Sequence, residues 1–419
     1  MSRFDVVIFG ASGYTGKYVV EHLAHIYEEE NIKWCVAGRS ERKLDETLKM
    51  VSEWTGKDLS GVSKIIVNVD DEDSIDKMCK QAKVVINCVG PYRLWGEQVV
   101  KSAIKNGCDH LDISGEPIYL EGVQVRHDEA AKAKGCFVVG AAGGDSIPSE
   151  MGIAYLTDNC DTDINGISTF LKFKGAGGKA NYGTWHSAVR GLADSKMLGP
   201  IRKELFKEKM PRPNHKLVRK TVFFNSDKAV NSYAVVLPAT DRSVAKRTQY
   251  YNYVHDGKRP IQVETYFCCQ NLPMLIGIFL FGAVFAIMQT FGEWGRSMML
   301  KYPGIFSLGI FAKEGAPREE VIKRRFELVL EGDAYNSRIE DPNQQHDDKP
   351  VKKVRAKVSG PDFGYVGCSI FIGQCAMVLL KEREKLPGPG GIFTPGACFA
   401  KSSLIERLKK HGVKFEMLD

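Results

Sequence analysis

The sequence predicts an α/β chain: a doubly wound parallel sheet first, then an α+β domain with a mostly antiparallel sheet and an apolar, membrane-contacting insertion. Three observations predict it. Apolar strand-like runs alternate with helical patterns through the N-terminal third. Beyond about residue 162 strand-like runs follow one another with few helices between. A long uncharged stretch then interrupts those strands.

The first strand-like runs are Phe4–Phe9, 33–37, 64–68, 84–89, Asp109–Asp112 and Phe137–Val139, with helical patterns at 17–27, 41–53, 71–81, 96–106 and 125–134 between them. Repeated βα units imply parallel strands with right-handed crossovers and helices on both faces. The expected domain covers residues 1–160.

Its first turn is the most informative segment. The run Phe4–Phe9 leads directly into Gly10-Ala-Ser12-Gly13-Tyr14-Thr15-Gly16 and then a helix. Gly10 permits a tight turn, Gly13 lets a pyrophosphate approach the backbone, and Gly16 lets helix pack on strand. The helix N-terminus adds unpaired N–H groups and the positive dipole end. A plain strand–turn–helix would share the glycines, but the placement after a strand and before a helix favours a dinucleotide.

The second strand ends in Gly38-Arg39-Ser40, where NAD enzymes place an acid for the ribose 2′-hydroxyl. A guanidinium fits a 2′-phosphate through bidentate hydrogen bonds, so NADP(H) is expected over NAD. The alternative is that Arg39 opens a solvated loop.

Substrate chemistry is expected at the carboxyl ends of the parallel strands. The turn Val89-Gly90-Pro91 would bring backbone to the nicotinamide ribose. Tyr92, Glu116, Asp145 and Ser146 are the substrate-lining candidates there. Asp145 or Ser146 could instead cap a helix starting near Pro148. Farther on, the glycine-rich run from Gly175 precedes an expected helix at 187–196 and supplies Tyr182 and His186 as further lining candidates. His186 reads more readily as a packed or capping residue than as a base. No catalytic residue is assigned.

Composition bounds the rest. With 419 residues, 43% of them hydrophobic, the chain is expected to form two domains. The net charge of +7 is modest, and no nucleic-acid module occurs, so nucleic acid is not an expected partner. The eleven cysteines include no C-x-x-C pair, so no metal site is expected and the thiols read as buried and reduced. A leader peptide is not expected, because a strand begins at Phe4.

The second region, 161–362, carries strand-like runs at 167–174, 221–224, 232–237, 248–253, 261–268, 325–331 and 352–359. Residues 340–349 read as an exposed, disordered hairpin loop. The last segment, 363–419, turns helical at 368–385 and 400–410 and is expected to pack back on the first domain.

The insertion spans 271–311. No charge occurs from Thr265 to Gly292, and Leu272 to Phe291 is long enough to cross a bilayer core. Strand-like runs lie on both sides of it. If they share one sheet, a single crossing would divide that sheet across the membrane, so a surface or hairpin insertion is expected. Trp294, Arg296, Lys301 and Tyr302 supply interfacial residues. Burial in the core or in a homodimer interface is the alternative.

Taken together, Gly10–Gly16, Gly38–Ser40, Asn87–Tyr92, Asp112–Glu116, Gly144–Pro148, Gly390–Pro395 and Leu404–Leu408 resemble the saccharopine dehydrogenase superfamily in order and spacing. Within it the chain is most similar to the saccharopine dehydrogenase-like oxidoreductases. The resemblance implies an NADP-type Rossmann domain with a substrate domain inserted before the C-terminal helices. It is as close to bacterial trans-acting enoyl reductases as to saccharopine reductases, and it implies neither saccharopine as substrate nor any catalytic residue.

The resulting expectation is an NADP(H)-dependent oxidoreductase on a lipid surface, acting on an apolar or lipid-derived substrate. Lipid droplets or the cytosolic face of membranes are the expected location, with mitochondrial outer surface and endoplasmic reticulum among the membranes considered. The alternatives are a non-catalytic cofactor-binding scaffold, a saccharopine-type dehydrogenase and a thioester reductase with Cys88 as nucleophile. The Tyr-x-x-x-Lys pair of short-chain dehydrogenases occurs nowhere in the chain.

Overall fold

The structure is a computed structural model, and it describes residues 3–175, 179–191, 197–237 and 240–419. The chain runs β1 (Phe4–Phe9), α1 (Tyr14–Ile26), β2 (Trp34–Gly38), α2 (Glu41–Thr55), β3 (Ser63–Ile66), α3 (Glu72–Lys80), β4 (Ala82–Asn87), α4 (Tyr92–Lys105), β5 (Asp109–Asp112), α5 (Pro117–Lys134) and β6 (Phe137–Val139). It continues through α6 (Ile147–Asp158), β7 (Ile164–Lys174), β8 (Ala180–Asn181), α7 (Tyr182–Gly191), α8 (Leu198–Leu205), β9 (Val222–Asn225), β10 (Ser232–Val236), α9 (Asp241–Asp256) and β11 (Gln262–Cys269). Next come α10 (Leu272–Thr290), α11 (Gly292–Lys301), α12 (Pro303–Phe306), β12 (Phe311–Ala312), α13 (Arg318–Val321), β13 (Arg325–Ala334) and β14 (Lys352–Pro361). The last elements are α14 (Val366–Lys381), β15 (Gly391–Phe393), α15 (Pro395–Phe399), α16 (Leu404–Lys410) and β16 (Lys414–Leu418).

These elements form two compact units, Met1–Ile147 with Phe363–His411, and Pro148–Asp362 with Gly412–Asp419. In the first, seven parallel strands take the order β15-β6-β5-β4-β1-β2-β3. The strands are nearly continuous apolar runs because both faces are covered. One face packs Val7, Phe9, Cys35 and Val85 against Ile75, Met78, Val99 and Ala103 of α3 and α4. α1 and α14 pack together, and α14 is buried from Gly367 to Leu379. There is no room for a side chain at Gly373, where an added Cβ would lie 2.4 Å from the His22 ring.

Besides a small two-stranded parallel sheet of β8 and β12, the second unit holds one mixed sheet, β16-β14-β13-β7-β11-β10-β9. All neighbours are antiparallel except β7 and β11. α6 lies on this sheet: a Cβ at Gly152 would meet Leu330 and Val358 at 3.0 Å. That packing sets the division at Ile147 and not at residue 160. The C-terminal segment is also not purely helical. β15 joins the first sheet and β16 joins the second, so 363–419 is shared between the units.

Two local readings are corrected. Residues 248–253 are helix, not strand: Val244, Ala245, Thr248 and Gln249 are buried at helical spacing on α9. The β-branched and aromatic side chains Thr248, Tyr250, Tyr251 and Tyr253 carry strand propensity, but packing on one helix face overrides it. The 340–349 loop is ordered. His346 is buried, stacks on Tyr335 with ring centroids 3.7 Å apart, and sits 2.8 Å from the Asp163 carboxylate. Arg259 binds the carbonyls of Ile339, Asp341 and Gln344.

Candidate active site

β1 ends at the point where the strand order of the first sheet reverses, between β2 and β4. Gly10 turns the chain with φ +84°, and its N–H donates to the Ala37 carbonyl at 2.9 Å. A Cβ at Gly10 would lie 2.7 Å from Val89, and one at Gly16 only 2.2 Å from the Gly10 carbonyl oxygen. Both positions therefore demand glycine for packing alone. Gly13 is the N-cap of α1, no side chain caps that helix end, and its first turn holds no acid. Ser12 and Gly13 are exposed; Tyr14 and Thr15 are half-buried. The Lys17 amine lies over the Tyr14 ring, which meets Tyr365 edge-on at 4.6 Å.

At the end of β2, Gly38 is buried and Arg39 is exposed. Ser40 caps α2, its hydroxyl accepting the Lys43 N–H at 3.4 Å. Arg42 is held by Glu46. Arg39 has no hydrogen-bond or ion-pair partner among the described residues, so its guanidinium is available to a ligand.

The ends of β4 and β5 carry a buried polar network. Asn87 accepts the Val89 N–H at 3.0 Å and shapes the turn that leads through the cis Gly90–Pro91 bond into α4. Glu116 is buried, and its two carboxylate oxygens accept the N–H groups of Tyr92 and Arg93 at 3.0 and 3.1 Å. It thus supplies the cap that α4 lacks from Pro91. Tyr92 is buried as well, its hydroxyl donating to the Asn87 carbonyl at 2.9 Å. These two candidates hold the turn together.

Asp112 was not singled out from the sequence, yet it organises two strand ends. It accepts N–H groups from Ser114 at 2.9 Å and Ala141 at 3.2 Å, and the Tyr119 hydroxyl at 2.8 Å. Ala141 is held at φ +58°. Burial pushes the Asp112 carboxyl up to about 6, while burial pulls neighbouring His110 down to about 3. The sequence signal was available: Asn87 and Asp112 are polar residues ending apolar strands.

Asp145 is exposed, although the protein packed around it raises its carboxyl by desolvation. Ser146 is buried and its hydroxyl has no hydrogen-bond partner among the described residues, so it does not cap the following helix. Cys88 is half-buried with its thiol pushed up by burial, which overturns the reading of Cys88 as a thioester nucleophile.

Tyr182 and His186 belong to the second unit, within α7; the helix begins five residues earlier than expected. Gly177, Gly178 and residues 192–196 of that reading lie outside the described residues. The two rings are 5.8 Å apart, flanking the buried Trp185. Trp185 packs with Val189, Phe285 and Met299, and Tyr182 packs on that cluster. A separate cavity of about 560 Å³ in this unit is lined by Lys216, Lys220, Phe223, Tyr266, Glu331 and Lys353, among others. None of the sequence-predicted site residues lines it.

Residues 6–139 match the saccharopine dehydrogenase NADP binding domain. The chain is 36% identical to the human saccharopine dehydrogenase-like oxidoreductase, over 99% of this chain and 97% of that one. The chain belongs to the saccharopine dehydrogenase-like oxidoreductases. It is also 38% identical to a Caenorhabditis elegans protein named lipid droplet localized protein, over 100% of this chain and 99% of that one. The fold matches apo saccharopine dehydrogenase (L-Glu forming) from Saccharomyces cerevisiae across 99% of both chains, with a TM-score of 0.53 and 12% identity. As a saccharopine dehydrogenase-like oxidoreductase, the protein is an NADP-dependent enzyme.

Proposed function

We propose that this NADP(H)-dependent oxidoreductase works while attached to a lipid surface, on an apolar or lipid-derived substrate, and that 271–311 is the attachment. The single observation that carries the reading is the exposure of α10. Of its 19 residues only Leu275 and Phe285 are buried. Leu272, Ile276, Phe279, Leu280 and Ile287 are all about half exposed or more. A core helix would bury them. Half exposed in water, each such side chain forfeits roughly 1 kcal/mol of burial free energy, which a lipid phase would return.

The attachment is a surface contact and not a crossing. β11 precedes the apolar segment and β13 follows it, and both pair with β7 in one sheet. A single crossing would divide that sheet. The name of the worm relative, lipid droplet localized protein, supports the same reading.

The cofactor would lie against the Gly10–Gly16 turn. Gly13 leaves the α1 N-terminus open to the pyrophosphate, and Arg39 would take the 2′-phosphate. Ser12, Tyr14 and Thr15 line that turn, Gly38 and Ser40 flank Arg39, and Val89, Gly90 and Pro91 would border the nicotinamide ribose. NADP(H) supplies hydride transfer; the protein supplies orientation and water exclusion. Tyr92 and Glu116 act by fixing the turn. Asp145 remains the proposed substrate-side group of the first unit.

Replacing Ile276, Leu280 and Ile287 with glutamine tests the reading. The full chain should float with lipid, and the variant should stay in solution while still binding NADPH. Retention of the variant on lipid, or a protease-protection assay placing the two termini on opposite sides of a membrane, overturns it. A native chain that forms a soluble dimer with α10 protected would also overturn it.

A further inference from the structure

The exposed apolar surface does not end with α10. Phe291, Trp294, Tyr302, Ile305, Leu308 and Ile310 continue it, each at least 40% exposed. This second tract has a charged border that α10 lacks. Lys301 ends α11 immediately before Tyr302. The small sheet pairs Ala180 with Phe311 and Asn181 with Ala312, so Lys179 is brought alongside Ile310, and Lys313 alongside Tyr182. The Ala180 N–H donates to the Ile310 carbonyl at 2.7 Å, and the Asn181 amide donates to the Lys313 carbonyl at 3.2 Å, which fixes that register.

Lys179, Lys301 and Lys313 are exposed and have no carboxylate partner among the described residues. Acids near this border are few. Glu293 is held by both Arg190 and Arg296. Glu314 is the sequence neighbour of Lys313. A row of exposed apolar side chains edged by amines without carboxylate partners, one of them (Lys301) 5.3 Å over the Tyr302 ring, is complementary to acyl chains below anionic headgroups.

We propose that the Tyr302–Ile310 face, edged by Lys179, Lys301 and Lys313, docks on anionic phospholipid, so that attachment depends on headgroup charge as well as on an apolar phase. The inference rests on the lipid-surface reading above. A cation near an anionic surface contributes about 1 kcal/mol, so three of them raise affinity roughly a hundredfold. Salt should screen most of that gain.

The fold provides an internal control. β13 runs from Arg325, beside Lys174, to Ala334, beside Ile164, about 30 Å away. The apolar helices leave the sheet at the Lys174 end. Lys216, Lys349 and Lys352 lie at the other end, round Asn165, Asp333 and Ala334. The same loss of charge there should leave lipid binding unchanged.

The test is flotation of the full chain with vesicles of phosphatidylcholine alone or with added phosphatidylserine, at 0.15 M and 1 M salt (about one Debye length of 8 Å against 3 Å). Expected is binding to both, roughly hundredfold tighter with phosphatidylserine at low salt. Lys179→Ala, Lys301→Ala and Lys313→Ala combined should remove that difference, and Lys216→Ala, Lys349→Ala and Lys352→Ala combined should not. Equal binding of the native chain to both vesicles overturns the inference and leaves lipid attachment standing. Equal loss in the two triple variants overturns it as well. Absence of binding to either vesicle overturns the lipid-surface reading itself. The lipid-composition comparison on the native chain decides the matter even where a variant misfolds.

Discussion

Trp185 donates its indole N–H to the Met299 carbonyl at 2.9 Å, tying α7 to α11 inside a core that also receives Phe281 and Phe285 from α10. The buried Trp185 side chain is thus a principal anchor of the exposed helix, beside the Gln289 amide, which donates to the Val189 carbonyl at 2.8 Å. Trp185→Ala removes a fully buried indole and should cost about 3–5 kcal/mol locally. Urea unfolding should show the second unit melting early, with NADPH affinity kept. An unchanged unfolding curve would mean that Trp185 does not anchor α10.

Arg39 stands exposed and unpartnered at the end of β2. Arg39→Asp should weaken NADPH roughly ten- to a hundredfold and spare NADH, as expected for losing a charge-assisted contact of about 1.5–3 kcal/mol. Titration of the purified protein with both cofactors reads this directly. Equal affinities in the native protein would refute the assignment of Arg39.

Glu116 caps α4 through Tyr92 and Arg93, so its loss should show first as lost stability. Glu116→Ala leaves one buried and one half-buried N–H group without their carboxylate acceptor and should cost about 2–4 kcal/mol. Glu116→Gln keeps one acceptor and should cost less. A variant that loses turnover at unchanged melting temperature would instead place Glu116 on the substrate.

Acid should destabilise the first unit. Burial holds His22 and His110 neutral, at about 3, against an ordinary 6.5. Between pH 6.5 and 3 the unfolded chain binds two protons that the folded chain refuses, so stability is full above 6.5 and falls as pH drops. Asp112, raised to about 6, works the other way between 6 and its ordinary 3.8, because there the folded chain holds the extra proton. Taken by themselves, these three groups give a loss of about 1.4 kcal/mol per pH unit between pH 6 and 4. Stability measured by urea at pH 7, 6 and 5 checks it; a flat profile contradicts it.

The βα alternation and the glycine turn were legible because each depends on local periodicity and on backbone positions that exclude a side chain. Gly10 and Gly16 are two such positions, at 2.7 and 2.2 Å from what a Cβ would meet. The polar network was legible only in part. Tyr92 and Glu116 stand out as residues, but that one caps the helix begun by the other depends on β4 and β5 lying side by side. Asp112 ends its strand visibly, but its hold on the Ala141 N–H depends in the same way on β5 and β6 lying side by side. The helix at 241–256 was misread because its tyrosines favour strands until a packed face decides otherwise. β15 and β16 were missed because each is a few residues long and takes its identity from a sheet edge made far earlier in the chain.

That last feature bears on how the protein is synthesised. The edge strand β15 of one sheet and the edge strand β16 of the other both come from the final thirty residues or so of the chain. Neither sheet can be completed until β15 and β16 have emerged from the ribosome, whereas α10 emerges well before either of them. A nascent chain thus presents its most apolar helix while two sheet edges are still open, the state in which aggregation competes with folding. Early capture of α10 by a lipid surface or a chaperone would protect the chain during that interval, so the helix proposed to dock the mature enzyme would also need shelter while it is being made.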